Sequence, residues 1–335
     1  MTVTNAPVPA PAPADDERRR AIVTRLSPGD RVFRGVLRMA GLAVLVITAG
    51  ILAFLVLRAI PTFTAEGFGF FTTQSWFIST NQYGIAAILP FGILVALIAL
   101  IIAVPVGIAA GLFISEYAPP GLRRSLIALT DLMAATPSII VALFGFYFVM
   151  PRILGFEGWL AHHLAFIPVF KFTLANSSGN YATSTFIGGV LVAVLVVPII
   201  ASLSRQVFSQ APQGEREGAY ALGATRWGMI RAVVLPYGRA GVIGASMLGL
   251  GRALGETIVV SFILTPVFLF NPRVLETGGN SITVMIANRI FGAGPKEISA
   301  LMAAGMVLFV LTIVINTVAA IVISRSRSGT STSAD

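Results

Sequence analysis

The chain contains no cysteine. That excludes disulfides, thiolate metal sites and cysteine nucleophiles, and leaves the redox compartment open. Its two histidines, His162 and His163, are adjacent. Neighbouring helix positions point about 100° apart, so they make a poor metal pair and read as a solvated loop pair. Lysine is as scarce, with Lys171 after Phe170 and Lys296 after Pro295. Neither stands in the G-K-[ST] of a phosphate-cradling loop, where lysine must reach the phosphates and a hydroxyl the magnesium. Any ATP hydrolysis then belongs to a separate chain. Charge of both signs is thin, at 11% of the 335 residues, where soluble domains hold about a quarter. No polar block is long enough to form a second, soluble domain.

Apolar residues take the place of charge, at 56% of the chain with a mean hydropathy of +0.87. The pattern predicts an all-α polytopic membrane protein with six helices, since backbone groups in lipid must pair within their own segment. The spans are expected near 36–60, 85–115, 125–150, 184–208, 238–265 and 298–323. Residues 1–35 form a polar tail, with a Pro/Ala-rich run from Ala6 to Ala14 expected to be extended or disordered. The apolar run from Met39 to Leu57 is too long for a signal peptide and reads as a retained first span. The membrane domain is set at 36–325 and a short C-terminal tail at 326–335.

The net charge is +9. The arginines sit beside apolar runs with no aromatic-interleaved basic stripe, which points to membrane topology and not to nucleic acid. Sixteen of the 23 Lys and Arg residues fall in the tails and the loops after spans two and four. Six, Arg58, Arg152, Lys171, Arg273, Arg289 and Lys296, fall in the other loops, 61–83, 151–183 and 266–297. That split puts both termini in the cytoplasm. Phe70, Phe71, Trp76, Phe77 and Trp159 are placed to sit at the headgroup level. No repeat relates the halves, which weakens an inverted-repeat transporter.

The loop 209–236 is too polar to span and too patterned to be a linker. Pro212 and Glu215 suit the first turn of a helix. Gly223 suits the left-handed stop after it, and Thr225 the N-cap of a second short helix ending near Leu235 and Pro236. Small residues at Gly218, Ala219, Ala221 and Gly223 allow another protein to approach closely. The segment resembles the coupling motif of ABC-importer permeases, E-A-A, three residues, G, nine residues, I-x-L-P. It reads Glu217-Gly218-Ala219, Gly223, then Val233-Val234-Leu235-Pro236, with Gly218 for alanine and Val233 for isoleucine. In that family the loop resembles a knob that docks in a groove of the ATP-hydrolysing subunit.

Two spans carry further signals. Pro137, in the run from Ala134 to Gly145, removes a backbone donor and should bend the third span. Thr136 and Ser138 can pair with the freed groups; an ordinary kink needs no substrate. The fifth span holds Arg252 and Glu256, four apart and so on one face. Gly251 and Gly255 share that spacing and permit tight helix contact. A charge within a span costs at least about 2.5 kcal/mol, so it faces a cavity or a partner. Either Arg252 draws an oxyanion into a pathway while Glu256 holds its guanidinium, or the two form a self-neutralising pair that shapes an interface. Asp131, close to Arg124, is a lower-ranked candidate near the inner interface.

These stretches, A-x-P-S-x-x-x-x-L-F-G and G-R-A-x-G-E-T, resemble the phosphate-specific (Pst-type) permeases. The loop Ser281 to Asn288 and the sixth span look like its C-type subunit. The resemblance covers most of residues 30–325 and implies a non-enzymatic subunit of an ATP-driven phosphate importer. It also implies a paralogous A-type permease, a dimer of ATP-binding subunits and an external phosphate-binding protein as partners. ATP and magnesium would be held by the ATPase, with no cofactor in this chain. Other oxyanions such as sulfate or molybdate, or an ion-driven secondary transporter, are the rival readings.

Overall fold

The computed structural model describes residues 27–171 and 183–327. The Pro/Ala-rich tail, part of the loop 151–183 and the end of the C-terminal tail lie outside them. The chain falls into two units, up to Ile51 and from Leu52 onward. In the first, the described residues form the start of α1 (Pro28–Glu66) with every side chain exposed. Helix therefore begins inside the expected tail.

Among the described residues, six helices are long and apolar enough to cross a membrane. After α1 comes α2 (Ile88–Leu112), which ends in a wide π-helical turn at Phe113–Tyr117. A separate amphipathic helix α3 (Pro120–Ala134) follows. The third span is α4 (Ser138–Phe144), continued through a π-helical turn, Gly145–Val149, into α5 (Met150–His163). This corrects the expected 125–150. Pro137 has extended backbone, ψ 134°, and separates two helices instead of bending one. His162 and His163 therefore end a helix, and His163 stacks on Trp159 with ring centroids 4.6 Å apart.

The fourth span, α6 (Thr185–Ser209), starts at Ser184, whose hydroxyl accepts from the Ile187 N–H at 3.2 Å. It is the most buried span. Glycine on α2 brings its backbone close to α6. A Cβ at Gly107 would lie 2.7 Å from Ile200, and one at Gly111 would lie 3.0 Å from the Ala201 carbonyl oxygen. With Gly189 against Ile98, the contacts run in the same direction along both helices, so spans two and four are parallel.

The corner after α6 comprises α7 (Gln213–Ala221) and α8 (Arg226–Met229). A π-helical turn, Ile230–Val234, joins α8 to α9 (Leu235–Gly255). The second helix therefore does not end near Pro236. That proline falls in the first turn of α9, directly after the π-helical turn. Gly238, Gly241 and Gly249 face Phe208, Val207 and Val196 in turn, which sets α9 antiparallel to α6. The fifth span stops at Gly255, short of the expected 265, and α10 (Ile258–Ile263) follows it. Its Val259, Val260 and Ile263 pack in one core with Val141 and Ala142 of α4. Next come α11 (Ile282–Arg289) and α12 (Pro295–Arg327).

The segment between α1 and α2 forms a two-residue hairpin, β1 (Trp76–Phe77) with β2 (Gln82–Tyr83), turned at Asn81 with φ 52°. Trp76 is buried; its indole N–H donates to Glu297 at 3.0 Å and its ring lies 5.0 Å from Tyr83. Phe70 is also fully buried. These two aromatics are core residues, while Phe71, Phe77 and Trp159 are exposed.

Candidate functional site

The loop motif divides between two faces. Val234 is buried, and Ala219 and Leu235 pack beside it against Phe208, Ala211, Met229 and Ile230. Glu217, Gly218, Gly223 and Pro236 point outward. Glu217 accepts from the Gln213 side chain at 3.0 Å, one helical turn back. Gly223 has φ 82°, the left-handed stop that its position demanded. The Thr225 hydroxyl then accepts from the Gly228 N–H at 3.1 Å, starting α8. Around the stop, Leu222 is 91% exposed, and Tyr220 and Trp227 are about half exposed. Three large apolar side chains thus stand exposed on a polar corner.

Beneath that surface lies an ionic knot built from residues to which the sequence reading gave no role. Glu116 in the π-helical turn after α2 is buried. Arg216 of α7 donates to its carboxylate at 2.7 Å. The same guanidinium donates to the Phe208 carbonyl at 2.6 Å and the Ala211 carbonyl at 3.2 Å. Arg226 of α8 donates to the Glu116 carbonyl and lies 4.8 Å from the centroid of the Tyr117 ring. One usable signal existed: Glu116 is the only charged residue between Ile88 and Tyr117.

Within the spans, Arg252 sits on α9, exposed, in the wall of a cavity of about 610 Å³ lined also by Ile199, Gly244, Gly251 and Asn316. Its expected partner is elsewhere. The helix ends at Gly255, so the four-residue spacing no longer stacks Glu256 on Arg252. Glu256 is buried and accepts from the Val259 N–H at 3.2 Å, capping α10. Its own carbonyl accepts from the Thr283 hydroxyl at 3.2 Å. Gly251 and Gly255 are open, with no atom within 4 Å of an added Cβ. Tight contact through them within this chain is therefore corrected.

Thr136, Ser138 and Asp131 do not line the Arg252 cavity. The Thr136 hydroxyl donates to the Leu132 carbonyl at 3.2 Å, closing the end of α3. Ser138 opens α4. Asp131 lies on α3, outside the spans, and accepts from the Ser202 hydroxyl of α6 at 3.0 Å. A further buried acid, Glu157 of α5, accepts from the Ser184 hydroxyl and so ties the third span to the fourth.

The cluster around the β1–β2 hairpin is separate. Glu297 also accepts from Arg289 at 3.2 Å, and Arg273 reaches Glu276 at 3.0 Å. Burial raises the Tyr83 phenol above its usual range, with Glu297 and Glu66 adding to that and Arg289 opposing it. Tyr83 stays a neutral group at physiological pH.

Residues 103–328 match the family described as binding-protein-dependent transport system inner membrane component. The chain belongs to that family. This permease is 37% identical over 295 residues to the phosphate transport system permease protein PstC 2 of Mycobacterium tuberculosis, covering 87% of this chain and 90% of the relative. It is 34% identical over 297 residues to PstC of Pasteurella multocida, covering 88% and 91%. With PstC of Mesorhizobium japonicum it shares 32% over 321 residues, covering 95% and 97%. Among solved structures, a bacterial ABC transporter involved in the import of the acidic polysaccharide alginate aligns over 88% of this chain and 99% of that one, at 18% identity and a TM-score of 0.49. The chain is thus a multi-pass membrane permease of the PstC group.

Proposed function

We propose that the chain is a membrane-spanning subunit of an ATP-driven phosphate importer and forms the pathway with a paralogous permease. Both termini face the cytoplasm, and the corner from Glu217 to Gly223 docks on a separate ATPase. That ATPase holds ATP and magnesium; an external phosphate-binding protein delivers the solute. The names of the relatives support the solute class. One observation carries the pathway: an exposed guanidinium, Arg252, in a cavity wall at the last turn of α9.

Hydrocarbon is the one environment Arg252 cannot face cheaply. It therefore meets water or a partner subunit, and a cation there attracts a tetrahedral oxyanion and passes it along an apolar wall. Glu256 acts through the backbone: it ends α9 beyond Arg252 and sets the direction of α10. Thr136 and Ser138 shape the facing break before α4, and Asp131 braces α3 on α6. No bond in phosphate is made or broken by this chain.

Arg252→Ala in proteoliposomes holding the complete complex tests this. Uptake of radiolabelled phosphate should fall roughly tenfold or more, the scale of losing a charge-assisted contact, while the complex still assembles. Sulfate and molybdate should compete poorly with phosphate for the unaltered complex. Normal uptake by Arg252→Ala would remove this residue from the pathway, and strong competition would reassign the solute.

A further inference from the structure

We infer that Arg216 and Glu116 form a bolt that makes the docking corner and the inner ends of spans two and four move as one body. This rests on the reading of the corner as the ATPase docking element, and adds how its motion reaches the membrane. The bolt is a positioning device and touches neither solute nor nucleotide.

Three observations converge on it. Arg216 lies between Glu215 and Glu217 in the outward-facing motif, yet its side chain turns inward and is only 16% exposed. Its three nitrogens donate to three acceptors on two segments: the Glu116 carboxylate after α2, and the carbonyls of Phe208 at the end of α6 and Ala211 just beyond it. A planar guanidinium can hold such a fork; a lysine ammonium cannot reproduce its geometry.

Glu116 is the shared anchor. Its carboxylate holds α7 through Arg216, and its backbone carbonyl holds α8 through Arg226. Both helices of the corner therefore end on one residue of the second span. Its other carboxylate oxygen is buried without a partner, so Arg216 is the group that neutralises it. The wide turn at Phe113–Tyr117 places that residue, and such turns recur at functional sites.

Spans two and four are already locked just above. A Cβ at Gly111 would meet the Ala201 oxygen and the Arg205 nitrogen at 3.0 Å, both backbone atoms that cannot yield. A push on α7 therefore passes through Arg216 into a pair of helices with no slack between them. Without the bolt, the corner keeps its docking face but meets the spans only through the apolar cluster around Phe208.

The test uses the complete complex in proteoliposomes, with ATP hydrolysed per radiolabelled phosphate imported as the readout. Arg216→Ala and Glu116→Gln should each leave the ATPase bound and hydrolysing, and raise ATP consumed per phosphate roughly tenfold, within the usual range of coupling between sites. The double variant should be no worse than either single one, since the pair acts as a unit. Arg216→Lys should fall between. Should Arg216→Ala fail to accumulate, Glu116→Gln, which keeps shape and leaves the docking face untouched, decides the matter. Unchanged stoichiometry in Glu116→Gln, or additive effects in the double variant, would overturn the bolt while leaving docking intact. Absence of any ATPase from complexes of the unaltered chain would instead overturn the docking reading itself.

Discussion

Arg252 is conspicuous in sequence because a charge within an apolar run needs a reason. Its pairing with Glu256 is not legible there, because the spacing argument assumes a helix that continues past Gly255. The carboxylate instead takes the Val259 N–H, an acceptor three residues before the donor it satisfies, as helix caps do. Glu256→Gln keeps a carbonyl oxygen for that bond, whereas Glu256→Ala leaves the donor empty and should cost about 1 kcal/mol. Thermal unfolding of the purified complex should therefore separate the two variants, with Gln the milder, and phosphate uptake should follow the same order. Equal damage by both would mean that the negative charge itself is needed. Arg216 escaped notice for the opposite reason: between two glutamates on a polar helix it looks like any solvated charge. Its partner is 100 residues away, and only folding brings them together. Breaking a buried pair of this kind costs about 3–5 kcal/mol when one charge is left behind. Some loss of stability is therefore expected in Arg216→Ala beside the change in coupling.

Among the elements, the corner of α7 and α8 was the most legible. Local rules sufficed: a proline and an acid at a helix start, a glycine at its stop, a threonine capping the next helix. Each depends on neighbours within a few residues, and each is where those rules put it. The third span was read less well. Hydropathy alone cannot divide an amphipathic helix such as α3 from the apolar helix after it, and Pro137, a bend by the sequence pattern, is a boundary between the two. Asp131 was consequently assigned to a span it does not occupy. Gly223 offers a test at this scale. With φ 82°, an alanine there is strained by about 1 kcal/mol, whereas an open space surrounds its Cβ position. Gly223→Ala should weaken co-purification of the ATPase only modestly. Gly223→Asp adds a charge beside Leu222 and Trp227 and should abolish either docking or coupling. Undisturbed docking with coupled activity in Gly223→Asp would count against the corner as the contact. Gly111→Ala would force α2 from α6 and cost about 1–3 kcal/mol, visible as a lower melting temperature of the complex.

For the whole molecule, membrane class and span number followed from composition, because lipid leaves so few solutions for a backbone. Burial inside the chain is modest: the window of α6 is 61% buried, whereas those of the other spans are far less so. Large apolar faces, an open Arg252 cavity and an exposed apolar corner describe a part that completes itself against lipid and other subunits. The central claim is that solute moves only when a nucleotide-hydrolysing partner drives this chain. The most direct measurement is radiolabelled phosphate uptake into proteoliposomes, made once with the complete complex and once with this chain alone, each with and without ATP. Uptake by the complete complex that requires ATP, and none by the chain alone, is the predicted result. ATP-independent uptake by the isolated chain would contradict it.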